Sequence, residues 1–383
     1  MPTVKRLEAI TPFLVMDVLE RAQAMESAGV DVVHFEVGEP DFDAPSCVKD
    51  AGRESLARGH THYTHSLGTL ELREAISRRY TTMYNMEVPP ERIIVTMGTS
   101  PAMLLSFSAL LEPGDEVILT DPHYACYPNF IRYCGGVPVT VPVSETDGFA
   151  LDMDRVRCAV TPKTKAIIVN SPSNPTGAVL SAETLRECAG LGCHVVSDEI
   201  YHGLVYGETA HTLLEFTDQA FVVDGFSKRY AMTGFRLGYL IAPEEYVRPM
   251  QILQQNFFIS AASVVQDAGI AALESADADV ARMTGIYDER RRFMIDGLRR
   301  IGFTITREPA GAFYVFVDAR HIDRDSYRLA FDILDNAHVG VTPGVDFGSN
   351  GEGFLRFSYA VSRERIAEGL DRLARYFGRR GNY

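Results

Sequence analysis

No long basic run occurs in this sequence. Its 37 lysines and arginines are outnumbered by 51 aspartates and glutamates, for a formal net charge of -14. Non-specific nucleic-acid binding draws on clustered Lys and Arg, so no nucleic-acid partner is expected. Cysteine is sparse and scattered: Cys47, Cys126, Cys134, Cys158, Cys188 and Cys193 include no CxxC pair. That spacing argues against a zinc site or a disulfide framework and for reduced thiols in a cytoplasm. No apolar run approaches the roughly 18 residues of a membrane-spanning helix. The apolar stretch after Lys5 and Arg6 is broken by Pro12 and Asp17, and no leader-type cleavage pattern follows. Tandem repeats and low-complexity segments are also missing.

What is present is a large apolar fraction, 46% of 383 residues, enough for one large domain and a smaller one. Residues 17–28 have helical spacing, with Val18, Leu19 and Ala22 on one face. "DVVHFEVGEPDF" reads as a strand running into a Gly/Pro turn, and residues 68–84 as a long amphipathic helix. From residue 93 onward short apolar runs recur: "IIVTM", "EVILTD", "VPVTVPV", "KAIIVN", "HVVSDE", "FVVDGF" and "GYLIA". Helical patterns at 101–111, 181–191 and 244–256 lie among them. Near-continuous apolar strands alternating with helices predict an α/β domain, over residues 46–280, with a mainly parallel sheet covered on both faces. Beyond about residue 280 a charged helical stretch precedes "AFYVFVDA", "VGVTPG" and "FLRFSYA". This predicts a smaller α+β domain over 281–383, with residues 1–45 as an arm that joins it in part.

Ligands of open α/β sheets sit beyond the carboxyl ends of the strands. After "IIVTM" come Gly98, Thr99 and Ser100 at the start of an apolar helix. Exposed backbone N–H groups there suit an anion, although an ordinary capped turn has the same composition. After "AIIVN" the rigid turn "SPSNPTG" carries Asn174, an amide with both donor and acceptor. After "HVVS" come Asp198, Glu199 and Tyr201, an acid that equally suits a helix cap or a salt bridge. After "FVVDGF" come Ser227 and Lys228, with Arg236 eight residues on. A surface lysine is the ordinary reading of Lys228 alone. Together these positions supply an amine, a carboxylate, an amide, a phenol and a cationic anion cradle. Pyridoxal 5′-phosphate asks for that set: an amine for its aldehyde, a carboxylate beside its ring nitrogen, donors near its ring oxygen and a phosphate site.

"SPSNPTG", "SDEIY" and "GFSKRYAMTGFRLGY", with "HYTHSLGTLELREAI" upstream and "FLRFSYA" downstream, resemble the class I/II aminotransferases of fold type I, in the aspartate-aminotransferase-like branch. The resemblance spans about residues 12 to 375 and rests on the order and spacing of five motifs. It implies a seven-stranded, mainly parallel sheet sandwiched by helices. It implies Lys228 as the Schiff-base lysine and proton carrier, Asp198 as partner of the pyridine nitrogen, and Asn174 and Tyr201 as ligands of the ring oxygen. Arg236, Gly98, Thr99, Ser100 and Ser227 fall at the phosphate site. Tyr124 takes the place of the ring-stacking aromatic, where many relatives have tryptophan and this chain has none. Arg356 matches the arginine that holds the substrate α-carboxylate, and Gly38 a backbone contact to it. Asn174 also falls on the substrate side. Tyr63 matches a tyrosine that reaches the neighbouring subunit's phosphate, implying a homodimer with shared sites.

The reaction so implied moves an amino group from an L-amino acid to a 2-oxo acid, 2-oxoglutarate by family habit, in ping-pong fashion. A carbon–sulfur β-lyase on the same scaffold would use the same cofactor residues. A non-catalytic cofactor-binding regulatory module is the reading from another class, and the intact Lys228, Asp198 and Arg356 argue against it. No cation for a second substrate carboxylate is placed by these motifs. His60, His62 and His65 share no obvious face for a metal. Cys126 and Cys193 are expected as buried small hydrophobes, and Arg290–Arg292 as a solvated helix face.

Overall fold

The computed structural model describes residues 5–379, and element counts refer to these. In chain order the strands are β1 (Val33–His34), β2 (Ile93–Thr96), β3 (Glu116–Asp121), β4 (Val137–Pro142), β5 (Thr164–Asn170), β6 (His194–Asp198), β7 (Ala220–Gly225), β8 (Gly238–Ile241), β9 (Tyr314–Asp318), β10 (Val339–Gly340), β11 (Thr342–Pro343) and β12 (Phe354–Ser358). Seven of them form one sheet in the order β2-β8-β7-β6-β5-β3-β4. All neighbours run parallel except β8, which is antiparallel to both β2 and β7. The resulting architecture is α/β with a helix-covered, mainly parallel sheet, as the apolar runs predict.

Both faces of this sheet are covered over its inner strands, and the alternation along β5 shows it. Ile167 and Val169 of β5 join one hydrophobic cluster, whereas Ala166 and Ile168 join the other. Side chains alternate across a strand, so each face needs its own cover. Helix Thr99–Leu110 brings Met103, Phe107 and Leu110 to the second cluster, with Met250 from helix Glu244–Phe257. Helix Leu70–Tyr84 brings Leu72, Ile76 and Tyr80 to the first.

A three-stranded antiparallel sheet, β11-β12-β9, forms the centre of the smaller α+β region. Helix Leu14–Ser27 packs here: Leu14 and Val15 donate their amides to Asp346 at 2.9 and 3.2 Å. The strand expected in "DVVHFEVGEPDF" is short. Only Val33 and His34 pair in register with Val339 and Gly340 of β10; Phe35 adds one backbone bond to Gly340 before the turn at Gly38. The arginine run is a correction. Arg290 is 8% exposed and donates to Asp41 at 2.8 Å, above the rings of Phe42 and Tyr287. Only Arg292 fits the solvated face expected of all three, with Arg291 paired to Asp288 and Glu308. Cys126 and Cys193 are half-buried rather than buried. No described helix is long and apolar enough to cross a membrane.

His34 links the N-terminal helix to the small region. Its two ring nitrogens face Glu36 Oε1 at 2.6 Å and Glu26 Oε1 at 3.1 Å. The hydrogen bond to the buried Glu36 raises its pKa from 6.5 to about 9, against the opposing cost of burial. A group whose folded pKa is raised stabilises the fold fully below its unfolded value, and the benefit is lost as pH rises through the folded value. Wild type should therefore melt above a His34→Gln variant at about pH 6, and the gap should close above about pH 9. A gap that persists unchanged at about pH 10 in paired melting curves counts against the imidazolium account.

Candidate active site

The carboxyl ends of β5, β6 and β7 lie along one edge of the large sheet. Two antiparallel steps, β7 to β8 and β8 to β2, bring the carboxyl end of β2 and the start of β8 to that same edge. Residues following Thr96, Asn170, Asp198 and Gly225, and those preceding Gly238, therefore converge. A cavity of about 250 Å³ opens there, and Gly38, Thr99, Ser100, Tyr124, Asn174, Asp198, Tyr201, Lys228 and Arg356 all line it.

Lys228 follows β7 and is partly buried, its Nζ donating to the Gly38 carbonyl at 2.6 Å. Loss of surrounding water lowers its pKa from 10.5 to about 8, helped by Arg356 and Arg236 and opposed by Glu39 and Asp198. Asp198 ends β6 and is 6% exposed. Burial lifts its carboxyl from 3.8 to about 6, opposed by hydrogen bonds from Tyr127 Oη at 2.6 Å and the Ile200 amide at 3.2 Å.

The "SPSNPTG" turn is stapled to the sheet by Asn170, which the motif reading passed over. Asn170 donates to the Asp198 carbonyl at 2.9 Å and accepts the Asn174 amide at 2.8 Å. Asn174 Oδ1 in turn accepts from Arg356 at 2.8 Å. Arg356, in the middle of β12, is 2% exposed. It also donates to the Glu36 carbonyl at 2.6 Å and Thr342 Oγ1 at 3.1 Å, and lies 4.3 Å from the Tyr314 ring centre. Its Nε is buried without a partner. Tyr201 and Tyr314 pair through their hydroxyls at 2.8 Å.

Gly98 sits at φ 91°, the conformation that favours glycine, and starts helix Thr99–Leu110. A Cβ on Gly98 would lie 2.6 Å from Arg236 Nη2. A Cβ on Gly238 would lie 2.8 Å from the Gly98 carbonyl carbon. Two glycines thus let a guanidinium approach the positive end of a twelve-residue helix. Arg236 remains solvent-exposed, and Ser227 beside Lys228 is buried at 9% exposure. Tyr63 is set apart from all of these at 86% exposure. The His cluster does not converge on a metal-type group. His60 faces Asp267 at 2.7 Å, and His65 Nδ1 accepts the Leu67 amide at 3.2 Å.

Several residues that line the cavity have no role in the sequence assignments. Tyr127 lies three residues after Tyr124 in the stretch "DPHYACYP", and that spacing is its one local signal. Tyr314 and Asn170 were read only as parts of strands. Phe13, Val15 and Met16 precede the helical spacing at 17–28 and Leu19 lies within it, and all four line the cavity from the N-terminal segment.

Comparison with known proteins agrees with this arrangement. The model for "Aminotransferase class I and II" matches residues 30–373, and the chain belongs to that family. It is 40% identical to an aspartate/prephenate aminotransferase of Thermus thermophilus, over 98% of each chain. It is 40% identical to a (5-formylfuran-3-yl)methyl phosphate transaminase of Methanocaldococcus jannaschii, over 98% of this chain and 99% of that one. The solved Thermus thermophilus aspartate aminotransferase with maleate superposes with a TM-score of 0.94 at 38% identity, over 98% of this chain and 99% of that chain. The protein is an aminotransferase of fold type I, in a family that uses pyridoxal phosphate and acts on amino and 2-oxo acids.

Proposed function

We propose that the cavity at the sheet edge holds pyridoxal 5′-phosphate and that the residues around it carry the transfer of an amino group from an L-amino acid to a 2-oxo acid, 2-oxoglutarate being the acceptor. The observation that carries this reading is the convergence of Lys228, Asp198 and Arg356 on one cavity. The donor set fits the group. The helix start at Gly98, Thr99 and Ser100, with Arg236 and Ser227, suits a phosphate. Asp198 suits a protonated ring nitrogen, and Tyr124 offers an aromatic face. The Oδ1 of Asn174 is engaged by Arg356, so its donor capacity, with the Tyr201 hydroxyl, serves the ring oxygen.

When bound, the cofactor supplies an aldehyde carbon and an electron-withdrawing ring. The chain's own groups do the rest. Lys228, with a pKa near 8, is unprotonated in a usable fraction near neutrality, so it acts as nucleophile and then moves a proton at the substrate α-carbon. Asp198 holds its charge where positive charge must persist on the ring. Arg356 takes the α-carboxylate with its planar fork, beside the Gly38 backbone. The domains are read as 46–280 for the cofactor and 281–383 with part of the 1–45 arm for the smaller unit. The pairing of β1 with β10 supports that division. Six free cysteines support a reducing compartment such as the cytoplasm.

Tyr63 supports a homodimer with shared sites. It is exposed, and Thr64 ties its segment to Ser260 and Ala261, next to the exposed apolar Phe257 and Ile259. Exposed apolar groups so placed favour a two-fold contact that covers them. Mixing inactive Tyr63→Ala chains with inactive Lys228→Ala chains should restore activity, since a mixed dimer has one site with neither defect. Subunit exchange is followed by mass. If exchange is complete and activity stays at the homodimer level while Tyr63→Ala alone is impaired, Tyr63 serves its own chain.

A further inference from the structure

Charge is scarce in the lining of the cavity. Among its described lining residues only Asp198, Lys228 and Arg356 are charged, and the proposed chemistry occupies all three. Much of the remaining lining is apolar: Phe13, Val15, Met16, Leu19, Val37 and Phe130. Four of these six belong to residues 13–19, and that segment is fixed in place. Asp346 accepts the amides of Leu14 and Val15 at 2.9 and 3.2 Å. Asn129, next to Phe130, accepts from the amide and the hydroxyl of Thr11, both at 3.1 Å. Phe13 meets Tyr124 edge-on, with ring centres 5.9 Å apart. The N-terminal segment is thus a pinned apolar wall of the same cavity that holds Lys228 and Arg356.

We infer that this wall receives the side chain of the amino donor, and that the preferred donor carries an apolar side chain, aromatic or large aliphatic, rather than a second carboxylate. The inference rests on the proposed function and names the substrate class of the same site. Arg356 is taken up by the α-carboxylate that all donors share. A side-chain carboxylate pressed against Val15, Leu19 and Val37 would lose water and find no free cation among the described lining residues, which is costly. A phenyl or isobutyl group gains by the same burial. The preference therefore departs from the aspartate in the names of the relatives.

The test is a donor panel on the cofactor-loaded enzyme with 2-oxoglutarate as acceptor: phenylalanine, leucine, methionine, alanine and aspartate. The best large apolar donor should exceed aspartate in kcat/KM by at least about tenfold. Leu19→Ala and Met16→Ala should lower the large apolar donors by about tenfold while alanine, whose methyl does not reach the wall, is unaffected. Met16 is 44% exposed, so its truncation leaves the packing of the fold intact. Aspartate equal to or better than the apolar donors overturns the inference and points to a cation supplied from elsewhere, the partner subunit included. An equal loss for alanine and the large donors in both variants overturns the wall's role. No turnover with any donor instead removes the proposed function itself, so the two failures are distinguishable.

Discussion

Lys228→Ala should lower turnover on the order of 10³-fold or more, and the protein should lose covalent attachment of the cofactor. No neighbour can substitute for this amine. Among the described cavity-lining residues it is the one primary amine. Its position is set from both sides, by the end of β7 and by the Gly38 carbonyl that accepts a hydrogen bond from its Nζ at 2.6 Å. Burial brings its pKa to about 8, close to the operating range where one group both accepts and returns a proton efficiently. The chemical readout is independent of rate. Borohydride reduction of the loaded wild type should fix the cofactor on the peptide containing Lys228, seen by mass, and the variant should show none. Near-normal turnover by the variant would falsify the assignment.

Asp198→Asn should separate function from stability. In the proposed site the carboxylate would oppose a positive charge on the ring nitrogen through the transition state, so kcat should fall on the order of 10²-fold or more, beyond any change in substrate binding. The fold should respond in the other direction. Burial raises the folded pKa of Asp198 from 3.8 to about 6. Its protonated form therefore favours the fold below the unfolded value, and that benefit is lost as pH rises through about 6. Above this window a buried carboxylate costs the cofactor-free chain up to about 3 kcal/mol. The cofactor-free variant should accordingly melt higher than wild type at about pH 8 and lose that advantage near about pH 4. An unchanged kcat, with only KM raised, removes Asp198 from the chemistry. A variant that melts lower at both pH values removes the electrostatic account of its cost.

The two halves of this site differed in how legible they were. Lys228, Asp198 and Asn174 each lie within four residues of the end of a near-continuous apolar run, so a strand-end rule finds them without tertiary information. The sheet was legible for the same reason: a strand buried on both faces has a local signature. The partners that tune those groups come from far along the chain. Tyr127 reaches Asp198 across 71 residues, and Arg356 reaches Asn174 across 182. Arg290 lies in a charged helical run that reads as solvated, yet it is buried because Asp41 arrives from 249 residues away. The pinned wall is a further case. Val15 and Leu19 look like any amphipathic face until Asp346 and Asn129 fix where that face lies.

The proposed amino-group transfer is completed in two separable halves. The measurement that tests it most directly is a single half-reaction. Cofactor-loaded protein is mixed with an apolar amino donor and no acceptor, and 2-oxo acid and ammonia are counted against active sites. One equivalent of the corresponding 2-oxo acid should form per site and the reaction should then stop, with no ammonia, until 2-oxoglutarate restarts it. With S-benzylcysteine, an apolar donor whose β-thiolate can leave, continued acceptor-free release of pyruvate, benzylthiol and ammonia would contradict the transfer and identify an elimination on the same residues.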